Sequence, residues 1–268
     1  MAKDPLNISL PEGVCDSHVH VGSFPILQAR FDMYQMIRFM DKYKLQNVLV
    51  SSSPYGEITN SFSHHNSNRV TKKLIQLSKE DPRVWVLLRS RIESYTQTRY
   101  LKWFEKALDE LQVVGMKVNP SQEGYKILDV RYQQVLQILN DKEGVLLLHC
   151  GRWQERSGWN KGILTAGMYP KMKVILAHMG GTHPELAYPA IDKALPLKNV
   201  YMNTSQTRNT GIIRQGVKTL GADRILFGSD TPWGNYVQNL IGILQLGLSE
   251  KEQHQILVGN FERTIKNE

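Results

Sequence analysis

VLLLHC at 145–150 and KVILAHM at 173–179 are two short apolar runs, each carrying a histidine at or beside its end. Runs of this length, bounded by Gly, Pro, Asn or Asp, read as buried strands. The pattern recurs outward in both directions. VCDSHVH from Val14, LQNVLVSS from Leu45, RVWVLLRSR from Arg83 and VVGMKV from Val113 precede the pair, and NVYMNTS from Asn199 and RILFGSD from Arg224 follow it. Between the runs the period becomes helical. Met33, Met36, Ile37 and Met40 share a face, as do Val70, Leu74 and Leu77, and Leu101, Phe104, Leu108 and Leu111. Asp129 is the predicted N-cap of a helix that turns Val135, Leu136 and Leu139 inward. Ser249 and Glu252 have capping-box spacing and open a final helix on the outside, Leu248 to Ile265.

Eight strands alternating with helices imply parallel strands joined by helical crossovers. An open doubly wound sheet and a closed barrel both satisfy that rule. From His20 to Asp230 is 210 residues across seven intervals, or 30 per interval, and this even count of eight favours the barrel. The expected fold is α/β, a single (β/α)8 TIM barrel with a C-terminal closing helix, in one domain over residues 1–268.

Composition narrows the remaining classes. The chain has 268 residues, and 33 Lys and Arg against 25 Asp and Glu give a net charge of +8. The basic residues are scattered rather than gathered into a tract, which predicts a solvated basic surface and no nucleic-acid partner. No apolar run approaches eighteen residues, so no membrane span is expected. The N-terminal MAKDPLNISLPEGV lacks the apolar core of a signal peptide, which points to the cytoplasm. Cys15 and Cys150 are then expected as free thiols.

In a barrel of this kind the chemistry lies at the C-terminal ends of the strands. Those ends carry His18 and His20, Ser51, Arg89, Lys117, His149, His178, Asn203 and Asp230. The other histidines, His64, His65, His183 and His254, fall in predicted loops or helices. Side chains alternate faces along a strand, so Asp16, His18 and His20 share one face and Cys15, Ser17 and Val19 the other. Val145, Leu147 and His149 align likewise, with Cys150 pointing away, as do Leu226, Gly228 and Asp230. With the histidines inward, both cysteines are expected to face the helices, which argues against a disulfide and against thiol catalysis. His-x-His on a strand presents two imidazoles to one cation, and a carboxylate with further histidines at other strand ends completes a zinc-type donor set.

DSHVH at 16–20, GMKVNP at 115–120, LLLHCG at 146–151, VILAHMGG at 174–181 and LFGSDTPW at 226–233 resemble the metal-dependent amidohydrolase superfamily. Within it they are most similar to the amidohydrolase-related branch that includes aminocarboxymuconate-semialdehyde decarboxylase. The tail LSEKEQHQILVGNFERTI at 248–265 is also similar to that branch, so the resemblance spans nearly the whole chain in order. It implies His18, His20, His149 and Asp230 as metal ligands. It also implies Asp230 and His178 as the catalytic pair, with His178 a base and orienting group, or a second ligand where two metals bind. Asp16 is either a support for a ligand histidine or a structural residue. Lys117 is expected unmodified beside the substrate rather than carbamylated between two metals. Asn119 stands where the branch often has histidine. One divalent ion is expected rather than two, zinc first and manganese second.

Such an ion lowers the pKa of its water from far above neutrality to about 7 and polarises a carbonyl. The leading expectation is therefore hydrolysis of a C–N or ester bond. Non-oxidative decarboxylation or hydration of a small carboxylated substrate is the alternative. Arg89, Arg91 and Arg152, with Trp153, Trp159 and Trp233, suggest a small anionic substrate, and Lys117 and Arg152 are expected to bind it. A homo-oligomer is compatible with these features.

Overall fold

The computed structural model describes residues 10–54, 64–89, 97–151 and 155–268, and of residues 64–67 the backbone alone. The chain begins with β1 (Cys15–Phe24), β2 (Ala29–Phe31), α1 (Met33–Lys42), β3 (Asn47–Ser52), α2 (His64–Glu80) and β4 (Val84–Arg89). It continues through α3 (Thr98–Ala107), β5 (Val113–Val118), α4 (Pro120–Glu123), α5 (Gln133–Asp141) and β6 (Val145–Leu148). Next come α6 (Trp159–Met168), β7 (Lys173–Leu176), α7 (Pro184–Ala194), β8 (Val200–Asn203) and α8 (Thr210–Leu220). The chain closes with β9 (Ile225–Leu226), α9 (Tyr236–Leu244) and α10 (Glu250–His254). All eight predicted runs form strands. The unpredicted one is β2, three residues that pair antiparallel with the end of β1, Gly22 opposite Phe31.

The strands form one curled sheet in the order β2-β1-β3-β4-β5-β6-β7-β8-β9, parallel from β1 onward. The backbone beyond β9 returns to β1. The Ser17 amide donates to the Phe227 carbonyl at 3.0 Å, the Asp230 amide to His18 at 2.8 Å and the His20 amide to Thr231 at 2.8 Å. The last parallel strand is thus carried back to the first. Between β5 and β6 the backbones come so close that a Cβ on Gly115 would collide with the main chain of Val145, which only glycine avoids.

Period-two alternation divides the apolar residues between two layers. Val48, Val50, Val86, Leu146, Leu148 and Val174 face the helices and pack with Met36, Met40, Leu74, Phe104, Val135 and Leu139. Leu49, Leu87, Val145, Leu147, Ile175 and Leu226 form the inner cluster. The helices start where the sequence marks them. Asp32 caps α1 in a capping box with Gln35, and Asp129 caps the short turn that leads into α5.

Two expectations need correction. Cys150 faces the helices, but Cys15 lies in the inner cluster. β1 carries an irregularity between Asp16 and Val19, where three steps of β1 match two of β3. That extra residue reverses the parity on its far side. Leu111 is 86 % exposed, because α3 ends at Ala107 and the chain turns before the stripe reaches it.

The tail opens with the predicted Ser249–Glu252 capping box. Its turns then widen to the π form over Gln255–Gly259 and Glu262–Lys266. Phe261 and Ile265 are buried in the inner cluster. Lys173, at the start of β7, donates to the Thr264 carbonyl, and Asn260 donates to Ala222 and Ile225. The tail therefore sits at the N-terminal ends of the strands, its apolar side turned into the sheet rather than lying wholly outside.

Candidate metal centre and active site

At the opposite end, three predicted residues converge. His18 Nε2 and His20 Nε2 are 3.1 Å apart. Asp230 Oδ1 is 3.3 Å from the first and 3.2 Å from the second. One ligand atom from each residue lies within 4.8 Å of the others, all three residues are buried, and no other such group occurs among the described residues.

The neighbouring groups decide which nitrogens carry lone pairs. Asn203 gives its amide N–H to Ser17 Oγ at 2.7 Å, so its Oδ1 is the atom facing the Ser205 amide at 3.1 Å. His18 Nδ1 lies 3.4 Å from that oxygen and 3.0 Å from Ser205 Oγ. An acceptor oxygen there requires Nδ1–H, which leaves Nε2 as the lone-pair atom. Ser51 Oγ occupies His20 Nδ1 at 2.8 Å and turns Nε2 toward Asp230. His178 Nδ1 meets the Ser205 carbonyl at 3.0 Å and must donate to it. Its Nε2 then accepts from His149 Nδ1 at 3.1 Å, so His149 Nε2 is also a lone-pair atom. Such oriented, carbonyl-anchored histidines are characteristic of metal sites.

Protonation follows from burial. Removal from water favours the neutral imidazole and lowers the pKa of His18, His20 and His178. Burial opposes the charge of Asp230, but the facing imidazoles outweigh it and hold the carboxyl well below the usual range. Two neutral imidazoles and a carboxylate, aimed at one point, form a donor set that fits a divalent cation.

Lys117 is fully buried, with Nζ 2.8 Å from His18 Nε2, and burial lowers its pKa to about 7. His178, Met179, Gln206 and Asp230 all take left-handed φ values, a conformation that non-glycine residues hold only where surroundings impose it. Gln206 donates to Asp230 Oδ2. Asp16 Oδ1 accepts from the amides of His18 at 3.1 Å and Ser229 at 2.9 Å. It therefore ties β1 to the segment after β9, and burial raises its carboxyl to about 7.

A cavity of about 430 Å³ opens above these groups, lined by His20, Arg89, Lys117, His149, Asp230 and Trp233 among others. Asn119 also lines it and caps α4 by accepting from the Gln122 amide. Trp233 stands edge-on to Phe24 at 5.6 Å. Arg152, Trp153 and Arg91 lie outside the described residues, as do the side chains of His64 and His65. Trp159 packs against the core instead, and Glu155 pairs with Lys126 at 2.7 Å. Ser205, Gln206, Glu123 and Tyr132 belong to the site or its support without having been singled out in the sequence. For Ser205 the signal was available: it follows Asn203 by two residues beyond a strand whose end was already marked.

Known proteins resemble this chain in sequence and in fold. The gamma-resorcylate decarboxylase of Polaromonas sp. strain JS666 is 30 % identical over 115 residues, which is 37 % of this chain and 35 % of that enzyme's length. The crystal structure of a dihydroxybenzoic acid decarboxylase from Polaromonas sp. JS666, with manganese and the inhibitor 2-nitroresorcinol, superposes with a TM-score of 0.73 at 17 % identity. That likeness covers 96 % of this chain and 97 % of the other. A 5-carboxyvanillate decarboxylase from Novosphingobium aromaticivorans, with manganese and 3-methoxy-4-hydroxy-5-nitrobenzoic acid, gives 0.76 at 12 % identity, covering 96 % and 97 %. At these identities the structural likeness is one of fold. The model of the family described as Amidohydrolase matches residues 15–265. A match that opens on the first residue of β1 and ends in the last helical turn leaves no strand outside it, and the chain belongs to the amidohydrolase family.

Proposed function

We propose that this chain is a metal-dependent decarboxylase that removes CO2 from a small anionic aromatic carboxylate. The observation that carries the reading is the buried trio of His18, His20 and Asp230, of which His20 and Asp230 line a cavity that Arg89 and Lys117 also line. The named activities of the relatives favour decarboxylation over the hydrolysis that leads the sequence reading. Hydrolysis of a C–N or ester bond is the second reading, supported by the family's description. The scaffold we propose is one domain over residues 1–268, a closed (β/α)8 barrel with the C-terminal helical tail across its base. The three hydrogen bonds joining β1 to the segment after β9 support closure.

His18, His20 and Asp230 would hold one divalent ion, zinc or manganese, with the lone pair of His149 Nε2 as the further ligand. Such an ion supplies Lewis acidity, binding and polarising oxygens of the substrate. The rest falls to the chain's own groups. Loss of CO2 requires a proton at the carbon that carried it. That proton must come from solvent, and Asp230, a carboxylate at the cavity wall, is the group placed to relay it while Gln206 holds Oδ2. His178, anchored on Ser205, orients His149 and the cavity wall. Lys117, together with Arg152, would bind the substrate's anionic groups.

The test has two arms. Metal counting with element identification on the purified protein is expected to find one ion per chain, lost in the His18→Ala/His20→Ala variant. Hydroxybenzoates supplied to the metal-replenished protein are expected to release CO2. Metal content unchanged in the double variant would remove the ligand assignment. Turnover of neutral amides or esters without CO2 release from any carboxylate would establish the second reading instead.

A further inference from the structure

Arg89 ends β4 and stands in register with Lys117 on β5. It lines the cavity yet is only 2 % exposed. A network from α4 fixes it there. Its Nη2 donates to Gln122 Oε1 at 3.1 Å and lies 3.5 Å from Glu123 Oε1. Glu123, itself buried, accepts from the Asn119 amide at 3.0 Å and from the Tyr132 hydroxyl at 2.5 Å. The guanidinium is therefore a preset fork rather than a loose surface cation. Burying such a pair costs desolvation on both sides, and here the pair is kept at the wall of the reactive cavity. Ile26, Pro54 and Trp233 supply apolar and aromatic surface to the same cavity, a lining suited to a flat ring.

We propose that Arg89 is a specificity-determining residue that grips a second acidic substituent of the substrate, one retained through the reaction. The substrate class is then a ring with two acidic groups. The inference rests on the decarboxylase reading in one respect. The departing carboxylate loses its charge as CO2 forms, and a guanidinium clamped on it would stabilise the reactant more than the transition state. A retained carboxylate or phenolate keeps its charge throughout, so contact with it holds the ring without raising the barrier.

Binding of isophthalate and benzoate to the metal-replenished protein, measured by titration calorimetry, separates the two failures. Isophthalate is expected to bind about tenfold more tightly than benzoate, from one charge-assisted contact. Arg89→Gln should erase that preference while leaving benzoate within about threefold of the parent protein. Arg89→Gln leaves Glu123 buried without its cation, so Arg89→Gln/Glu123→Gln, which removes both charges, serves where the single variant does not fold. Equal affinity of the parent for the two probes overturns the proposal, and so does a loss in either variant that falls equally on both. A dicarboxylate preference erased by the variants, in a protein that releases no CO2, would sustain the Arg89 site and sink the decarboxylase reading.

Discussion

The inner face of the sheet changes character within two residues along a single strand. Leu87 and Leu147 belong to an apolar cluster sealed by Phe261 and Ile265, while Arg89 and His149, one inward step further, line the cavity. The chain makes the same transition from Leu226, the last residue of β9, through Gly228 to Asp230 in the segment beyond it. At Gly228 a Cβ would collide with Asn203, the residue that orients His18. One end of these strands stabilises by excluding water, and the other holds charged and polar groups that only mutual pairing makes tolerable there. The division teaches that substitutions two residues apart should affect different properties, and each prediction below can break it.

Asp230→Asn carries the largest expected effect. It keeps the side chain's size, and Asn tolerates the left-handed backbone found there. Turnover should fall by about 10³- to 10⁴-fold, the upper range for a lost acid–base group, with the thermal midpoint moved by no more than a few degrees. Thermal unfolding beside steady-state kinetics checks both halves. A midpoint that drops as far as that of a core variant would erase the distinction between the two ends, and substantial residual activity would remove Asp230 from the chemistry.

Phe261→Ala is the converse. It empties part of the inner cluster at the base and should cost about 3–5 kcal/mol in denaturant unfolding. Metal content and activity per folded molecule should stay at the parent's level. Loss of metal in this variant would show that the base sets the geometry of the upper rim.

How far this division can be read from sequence depends on which residues a repeating period constrains. The eight strands were legible because short apolar runs between breakers leave few alternatives. His18, His20, Lys117 and Asp230 were legible because polar residues at strand ends stand out against those runs. The inward position of Cys15 was not, since nothing in CDSHVH marks the extra residue that reverses parity. His178 lies beyond β7 with φ 57°, so strand alternation could not place its ring. Glu123 and Tyr132 belong to a one-turn helix and a short turn. Their convergence on Arg89 joins segments whose relative placement depends on the packing of the whole fold rather than on a local pattern.

Tyr132→Phe probes that convergence with the smallest expected effect, and it sharpens the comparison most. Tyr132 is fully buried, and the change removes one hydroxyl that donates to Glu123 Oε2 while keeping the ring. The loss of a hydrogen bond to a buried carboxylate should cost about 1–2 kcal/mol of stability, below the cost of Phe261→Ala. With Glu123 less firmly held, the Arg89 fork has more freedom. Isophthalate affinity should therefore fall about threefold while benzoate affinity stays put, a split that general destabilisation would not produce. Were both probes to weaken together, Tyr132 would belong with Phe261 among the stabilising residues, and the boundary between the two ends would lie above it.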